Sequence, residues 1–146
     1  TESNNWAIKG IARANKDKGN HIITSQVEHP SVLESCRELE KEGFKVTYVP
    51  VDEYGVVDYA SIIKSIGPNT ILISIMTANN EVGSLQPIRA IAELAKQNNV
   101  YFHTDAVQAI GAIGINVKEI GVAQRMPVRW MPSRLLWISL QQARAR

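Results

Sequence analysis

The chain has 146 residues, of which 45% are apolar and 21% charged, with a formal net charge of +2; this is the length of about one domain and the make-up of a globular protein. No run of 18 apolar residues exists, and the opening TESNNWAIKG has neither the charged nor the apolar stretch of a secretory leader, so neither a membrane span nor a signal peptide is expected. The single cysteine, Cys36, excludes an internal disulfide and fits a reducing compartment.

Thr1-Glu2-Ser3-Asn4-Asn5 leads into an amphipathic stretch with Ile8, Ile11 and Ala12 inward. It reads either as a capped helix start or as an anion site, where the Thr1 hydroxyl and the first backbone N–H groups meet a phosphate. HIITS (21–25) is a short β-branched run that predicts a buried strand. Glu28 and His29 follow, ahead of a helix whose first residue is Pro30. Over 31–42, Val32, Leu33, Cys36 and Leu39 mark one face and Glu34, Arg37, Glu38, Lys41 and Glu42 the other, with Gly43 as the stop.

KVTYVP (45–50) is a second strand, and EYGVVD (53–58) a short extended or turn element. Asp58 opens a helix over Tyr59–Ile66 that Gly67-Pro68 closes. TILISIM (70–76) is a third strand. Pro87 stands in the first turn of a helix over Ile88–Gln97, with Ile88, Ile91, Ala92 and Ala95 inward. VYFH (100–103) is the fourth strand, followed by Asp105 and Gln108.

Strands separated by helices of this length predict an α/β fold with a mainly parallel sheet covered on both faces. Ligands of such sheets bind at the carboxyl ends of the strands. Three strand ends carry polar groups there: Glu28 and His29, then Asn79, Asn80 and Glu81, then Asp105 and Gln108. Each has a plainer reading. Asp105 caps a short turn or pairs with a cationic ring nitrogen or another buried cation; Gln108 completes a capping box or donates to a ligand oxygen. His29 is an ordinary hydrogen-bonded histidine, or it stacks on a planar ring and shuttles a proton. Asn79-Asn80 suits a turn. Cys36, on the apolar face of its helix, is expected to pack in the core. No CxxC, HExxH, G-x-S-x-G or glycine-rich phosphate loop is present, and no metal site is expected.

Taken together and in order, TESNN, HIITSQVEHPSVLESCRELEKEGFKVTYVPVDEYGVVD, ISIMTANNEVGSLQPI and YFHTDAVQAIG resemble cysteine desulfurases of the NifS/IscS-type branch, over about residues 1–122. These belong to the class-V aminotransferase group of pyridoxal-phosphate (PLP) enzymes. The resemblance implies that residues 1–122 are part of a fold type I large domain, a three-layer sandwich. It implies that Asp105 pairs with the cofactor's pyridine nitrogen and that Gln108 donates to its phenolic oxygen. His29 would stack on the ring and serve catalysis, Asn80 would lie near the ring oxygen and substrate carboxylate, and Thr1 would bind the phosphate. The family takes sulfur from L-cysteine, leaving alanine and an enzyme persulfide whose sulfur passes to an iron–sulfur scaffold or sulfur-carrier protein. A homodimer is implied. So is a location in the bacterial cytoplasm or, alternatively, the mitochondrial matrix, any transit peptide having preceded Thr1. No nucleic-acid or membrane partner is implied. Selenocysteine lyase is the nearest alternative within the family.

The chain departs from this pattern after residue 122. The family's Ser-x-His-Lys element, which carries the Schiff-base lysine, should fall near Val128–Met131; it is absent, and no lysine follows Lys118. The family's nucleophilic cysteine loop has no counterpart either, and Cys36 does not match it. The strand expected ahead of Thr1 is likewise missing. Residues 1–120 hold 11 Lys/Arg and 14 Asp/Glu, whereas 121–146 hold five Arg and no acid. Residues 123–146 therefore read as a non-matching basic tail. It is either out-of-frame, disordered sequence that leaves the chain inactive by itself, or the contact surface of a non-catalytic partner-binding protein.

Overall fold

The computed structural model describes residues 1–109 and, as a strand, residues 136–139. Four helices, α1 (Glu2–Ala14), α2 (Pro30–Lys41), α3 (Tyr59–Ser65) and α4 (Ile88–Gln97), alternate with strands β1 (His21–Ser25), β2 (Lys45–Val49), β3 (Thr70–Ser74) and β4 (Tyr101–Asp105). A fifth strand, β5 (Leu136–Ser139), completes a parallel sheet in the order β2-β1-β3-β4-β5. β1 pairs with β2 from His21↔Lys45 to Ser25↔Val49, and β4 with β5 from Phe102↔Leu136 to Asp105↔Ser139. The expected α/β sandwich is the fold observed. The readings of the basic tail lie outside the described residues, apart from the four that form β5.

Successive strand residues point to opposite faces, so each strand contributes to two cores. Ile22 and Leu72 pack with Ile8, Val32, Cys36 and Leu39 beneath α1 and α2. Ile23 and Ile73 pack with Val49, Ile62, Ile91 and Phe102 beneath α3 and α4. A fully buried isoleucine such as Ile91 contributes about 1.5–3 kcal/mol through removal from water. β1 and β3 are buried along their whole length, as an α/β interior requires. β2 is an edge strand, and its Lys45–Tyr48 stretch retains solvent exposure, so the expectation of burial on both faces fails there.

Helix boundaries follow their caps. The Asp58 side chain accepts the Ala60 N–H at 3.0 Å to start α3. Gly43, at φ +92°, turns the chain out of α2 through a conformation that other residues rarely adopt. Pro87 occupies the cap position of α4 rather than its first turn. α3 ends at Ser65, one residue short of the expected span. On the solvent side, α1 and α2 are linked by Lys9–Glu38 and by a forked Arg13–Glu42 pair at 2.6 and 3.1 Å. Such exposed pairs fix register more than they stabilise.

Two strand ends differ from expectation in a way that shapes the site. β3 stops at Ser74, releasing Ile75 and Met76 toward the edge of the sheet. β4 runs through to Asp105, which is its last residue rather than part of the following loop. The Asp105 carbonyl accepts the Thr77 N–H at 2.8 Å, so the residue is anchored at its backbone.

Candidate functional site

The carboxyl ends of β1, β3 and β4 and the start of α1 surround a cavity of about 170 Å³. Thr1, His29, Asn80, Asp105 and Gln108, the five residues to which the resemblance gives cofactor roles, all line it, whereas Glu28, Asn79 and Glu81 do not. The five come from four separate chain segments, and the topology alone brings them together. Asn4 and Ser31 complete the polar wall, while Met76, Ala78 and Val107 supply apolar surface.

Asp105 forms the floor. It is 9% exposed, with Oδ1 accepting the Val107 N–H at 3.0 Å and Oδ2 accepting the Asn4 amide at 2.7 Å. The turn-capping reading holds, since one oxygen shapes the turn, and each oxygen retains a second lone pair. His29 likewise has two parts. It is the cap of α2, with Nδ1 accepting the Ser31 N–H at 3.1 Å, and it stands exposed on the cavity wall. Asn79 does not line the cavity: its side-chain oxygen accepts the Glu81 and Val82 N–H groups at 2.8 and 3.0 Å, and its amide nitrogen donates to the Val27 carbonyl at 3.1 Å. Its neighbour Asn80 faces the cavity. Thr1 holds the cap position of α1, yet its side chain makes no capping hydrogen bond, which leaves the hydroxyl for other partners.

Behind the floor lies an unusual pair of neutral groups. Burial pushes the Glu28 carboxyl up to about 8, against hydrogen bonds from Ser25 and Met76 that favour its charged form; nearby Asp105 adds to the rise. Burial pulls His103 down to about 4, with Asp105 opposing. At neutral pH both are uncharged, so among the described residues neither competes with Asp105 for a cation. Cys36 is fully buried, and its thiol is pushed up to about 12, chiefly by burial, so it is a core residue and not a nucleophile.

The sequence reading missed Asn4 and Ser31. A signal was present: Asn4, Ile8 and Ala12 recur at helical spacing, so a polar side chain stands in the buried stripe of α1. Ser31 and Ser35 do the same on α2.

The donor set suits a phosphorylated pyridine. A buried carboxylate can accept from a ring N⁺–H, two carboxamides (Asn80, Gln108) can donate to a ring oxygen, and an imidazole can stack. The positive end of the 13-residue α1, with the Thr1 hydroxyl, can hold a phosphate. The apolar wall accommodates the ring itself.

Known proteins point the same way. The family model for aminotransferase class V matches residues 1–124. A cysteine desulfurase IscS of Methanosarcina thermophila is 61% identical over 122 residues, covering 84% of this chain. This chain spans 30% of that relative's length. Among solved structures, SspA in complex with cysteine superimposes with a TM-score of 0.78 at 42% identity, over 82% of this chain and 35% of that one. A NifS-like protein gives the same score and identity, over 82% and 33%. The α/β sandwich is thus the corresponding part of a fold type I large domain, and the chain belongs to the class-V aminotransferase family, with cysteine desulfurases as its relatives.

Proposed function

We propose that residues 1–122 form one wall of a PLP site in a cysteine desulfurase, an enzyme that takes sulfur from L-cysteine and leaves alanine and an enzyme persulfide. The observation that carries this reading is the convergence of Thr1, His29, Asn80, Asp105 and Gln108 on one cavity. When bound, PLP supplies a cationic ring that withdraws electrons from the substrate α-carbon. Asp105 keeps the ring nitrogen protonated, its charge strengthened by a floor that excludes most water. Gln108 and Asn80 orient the ring oxygen, Thr1 and the α1 dipole anchor the phosphate, and His29 covers the ring and moves protons at its Nε2.

The Schiff-base lysine and the sulfur-accepting cysteine have no counterpart among these residues, and no lysine follows Lys118. We assign residues 1–122 the cofactor-binding part of that reaction. In the complete enzyme, the persulfide would pass its sulfur to an iron–sulfur scaffold or carrier, and the working form would be a homodimer. The cytoplasm is the proposed compartment, with the mitochondrial matrix as alternative. Among the described residues no helix is long and apolar enough to cross a membrane.

A chimera tests the reading. Residues 1–122 of this chain replace the matching segment of the Methanosarcina thermophila relative, and alanine formed from L-cysteine is measured. Alanine is expected from the chimera, and none after His29→Ala. A folded, PLP-loaded chimera that forms none would refute the proposal.

A further inference from the structure

Asn4 is 1% exposed and uses its amide nitrogen twice, donating to Asp105 Oδ2 at 2.7 Å and to Ser31 Oγ at 3.0 Å. A carboxylate only accepts, so the amide's orientation is fixed: its nitrogen, not its oxygen, faces Asp105. Ser31 Oγ, having accepted from Asn4, turns its own hydrogen to His29 Nδ1 at 2.8 Å. The Ser31 backbone N–H, which can only donate, reaches the same Nδ1 at 3.1 Å. Nδ1 is therefore an acceptor, and the neutral imidazole carries its hydrogen on Nε2.

We infer that Asn4 and Ser31 are positioning residues: a buried bridge that aims the Asp105 carboxylate and holds His29 in its Nε2–H form. The inference rests on the PLP site proposed above. Every donor in the bridge points outward from Asn4, toward Asp105 on one side and through Ser31 toward His29 on the other. An amide N–H does not hand on its proton as water or imidazole does. The bridge thus fixes the geometry of the two groups that flank the ring while keeping their protons separate. That separation suits a site in which the carboxylate must stay an acceptor while the imidazole exchanges protons with substrate. It also explains why an asparagine interrupts the apolar stripe of α1. Burying a carboxamide is costly unless it is hydrogen-bonded; these two bonds satisfy the Asn4 nitrogen, while its buried Oδ1 has no hydrogen-bond partner among the described residues.

The test uses the full chain and pyridoxine 5′-phosphate, which has the ring nitrogen and phosphate of PLP but no aldehyde to react with surface lysines. Affinity is measured for the unsubstituted chain, Asn4→Ala, Asp105→Ala and the double variant. Asn4→Ala should weaken binding about tenfold, the scale of one hydrogen bond to a charged group. It should weaken binding no further once Asp105 is already alanine, because Asn4 acts through that carboxylate. Equal losses in both backgrounds would reduce Asn4 to a packing residue and overturn the inference. If Asp105→Ala itself leaves affinity unchanged, the proposed PLP site fails instead, so the two failures are distinguishable. A second measurement needs no substitution. In the unsubstituted chain, ¹⁵N imidazole shifts should show His29 Nδ1 without a proton, and both Asn4 amide protons should exchange slowly. A proton on Nδ1, or fast exchange, would overturn the bridge even if the variants did not fold.

Discussion

The Glu28 carboxyl accepts the Met76 N–H at 2.9 Å, tying the end of β1 to the point where β3 releases its chain toward the cavity. Ser25 donates to the same oxygen at 2.7 Å. Glu28 thereby braces two of the three strand ends that build the site, at the cost of burying a carboxyl group whose ordinary value is 4.5 and which here titrates near 8.

That burial gives stability a pH signature. Between pH 4.5 and about 8 the folded chain keeps the Glu28 proton and the unfolded chain loses it, so stability falls as pH rises. His103 acts oppositely: between about 4 and 6.5 the unfolded chain gains a proton that the folded chain refuses, so stability rises with pH. The two slopes cancel between 4.5 and 6.5, leaving a plateau from this pair. Above 6.5 Glu28 acts alone and removes about 2 kcal/mol by pH 8. Denaturant unfolding should show the decline above pH 6.5, and Glu28→Gln should abolish it.

Gly19 has no room for a side chain. A Cβ there would stand 2.3 Å from the Asn69 carbonyl oxygen, which accepts the His21 N–H at 2.9 Å where β1 begins. Backbone cannot rotate aside as a flexible side chain can. Gly19→Ala should therefore cost about 1–3 kcal/mol in urea unfolding, whereas Gly10→Ala, where nothing lies within 4 Å, should not destabilise.

Cys36 should be chemically silent. Its thiol is fully buried and titrates near 12, so iodoacetamide at neutral pH should leave the folded chain unlabelled and modify it rapidly once unfolded. Fast labelling of the folded chain would contradict its placement in the core.

The elements most legible in the sequence were those whose local pattern agrees with their tertiary setting. α4 spans Ile88–Gln97 as its apolar spacing requires, and β1 occupies His21–Ser25, where five consecutive residues are buried. That His29, Asn80, Asp105 and Gln108 stand near one another was legible because parallel-sheet topology places strand ends together; the cofactor roles proposed for them came from the resemblance. What local pattern could not supply were contacts across long separations. Asn4 meets Ser31 and Asp105 over 27 and 101 residues, and nothing within TESNN announces either partner. The length of β4 was underestimated because Thr104 and Asp105 are polar. Their pairing with β5 keeps them in the sheet despite that composition. β5 itself lies in a stretch whose arginines and tryptophans gave no period-two pattern to read.

Titration of the 146-residue chain with pyridoxine 5′-phosphate, followed by calorimetry, bears most directly on the claim that these side chains form a PLP cradle. Saturable binding at one site is expected, with loss of the phosphate (pyridoxine alone) and Asp105→Ala each weakening it by at least tenfold, as charge-assisted contacts should. A folded chain that binds neither compound, or binds both alike and ignores Asp105→Ala, would contradict it.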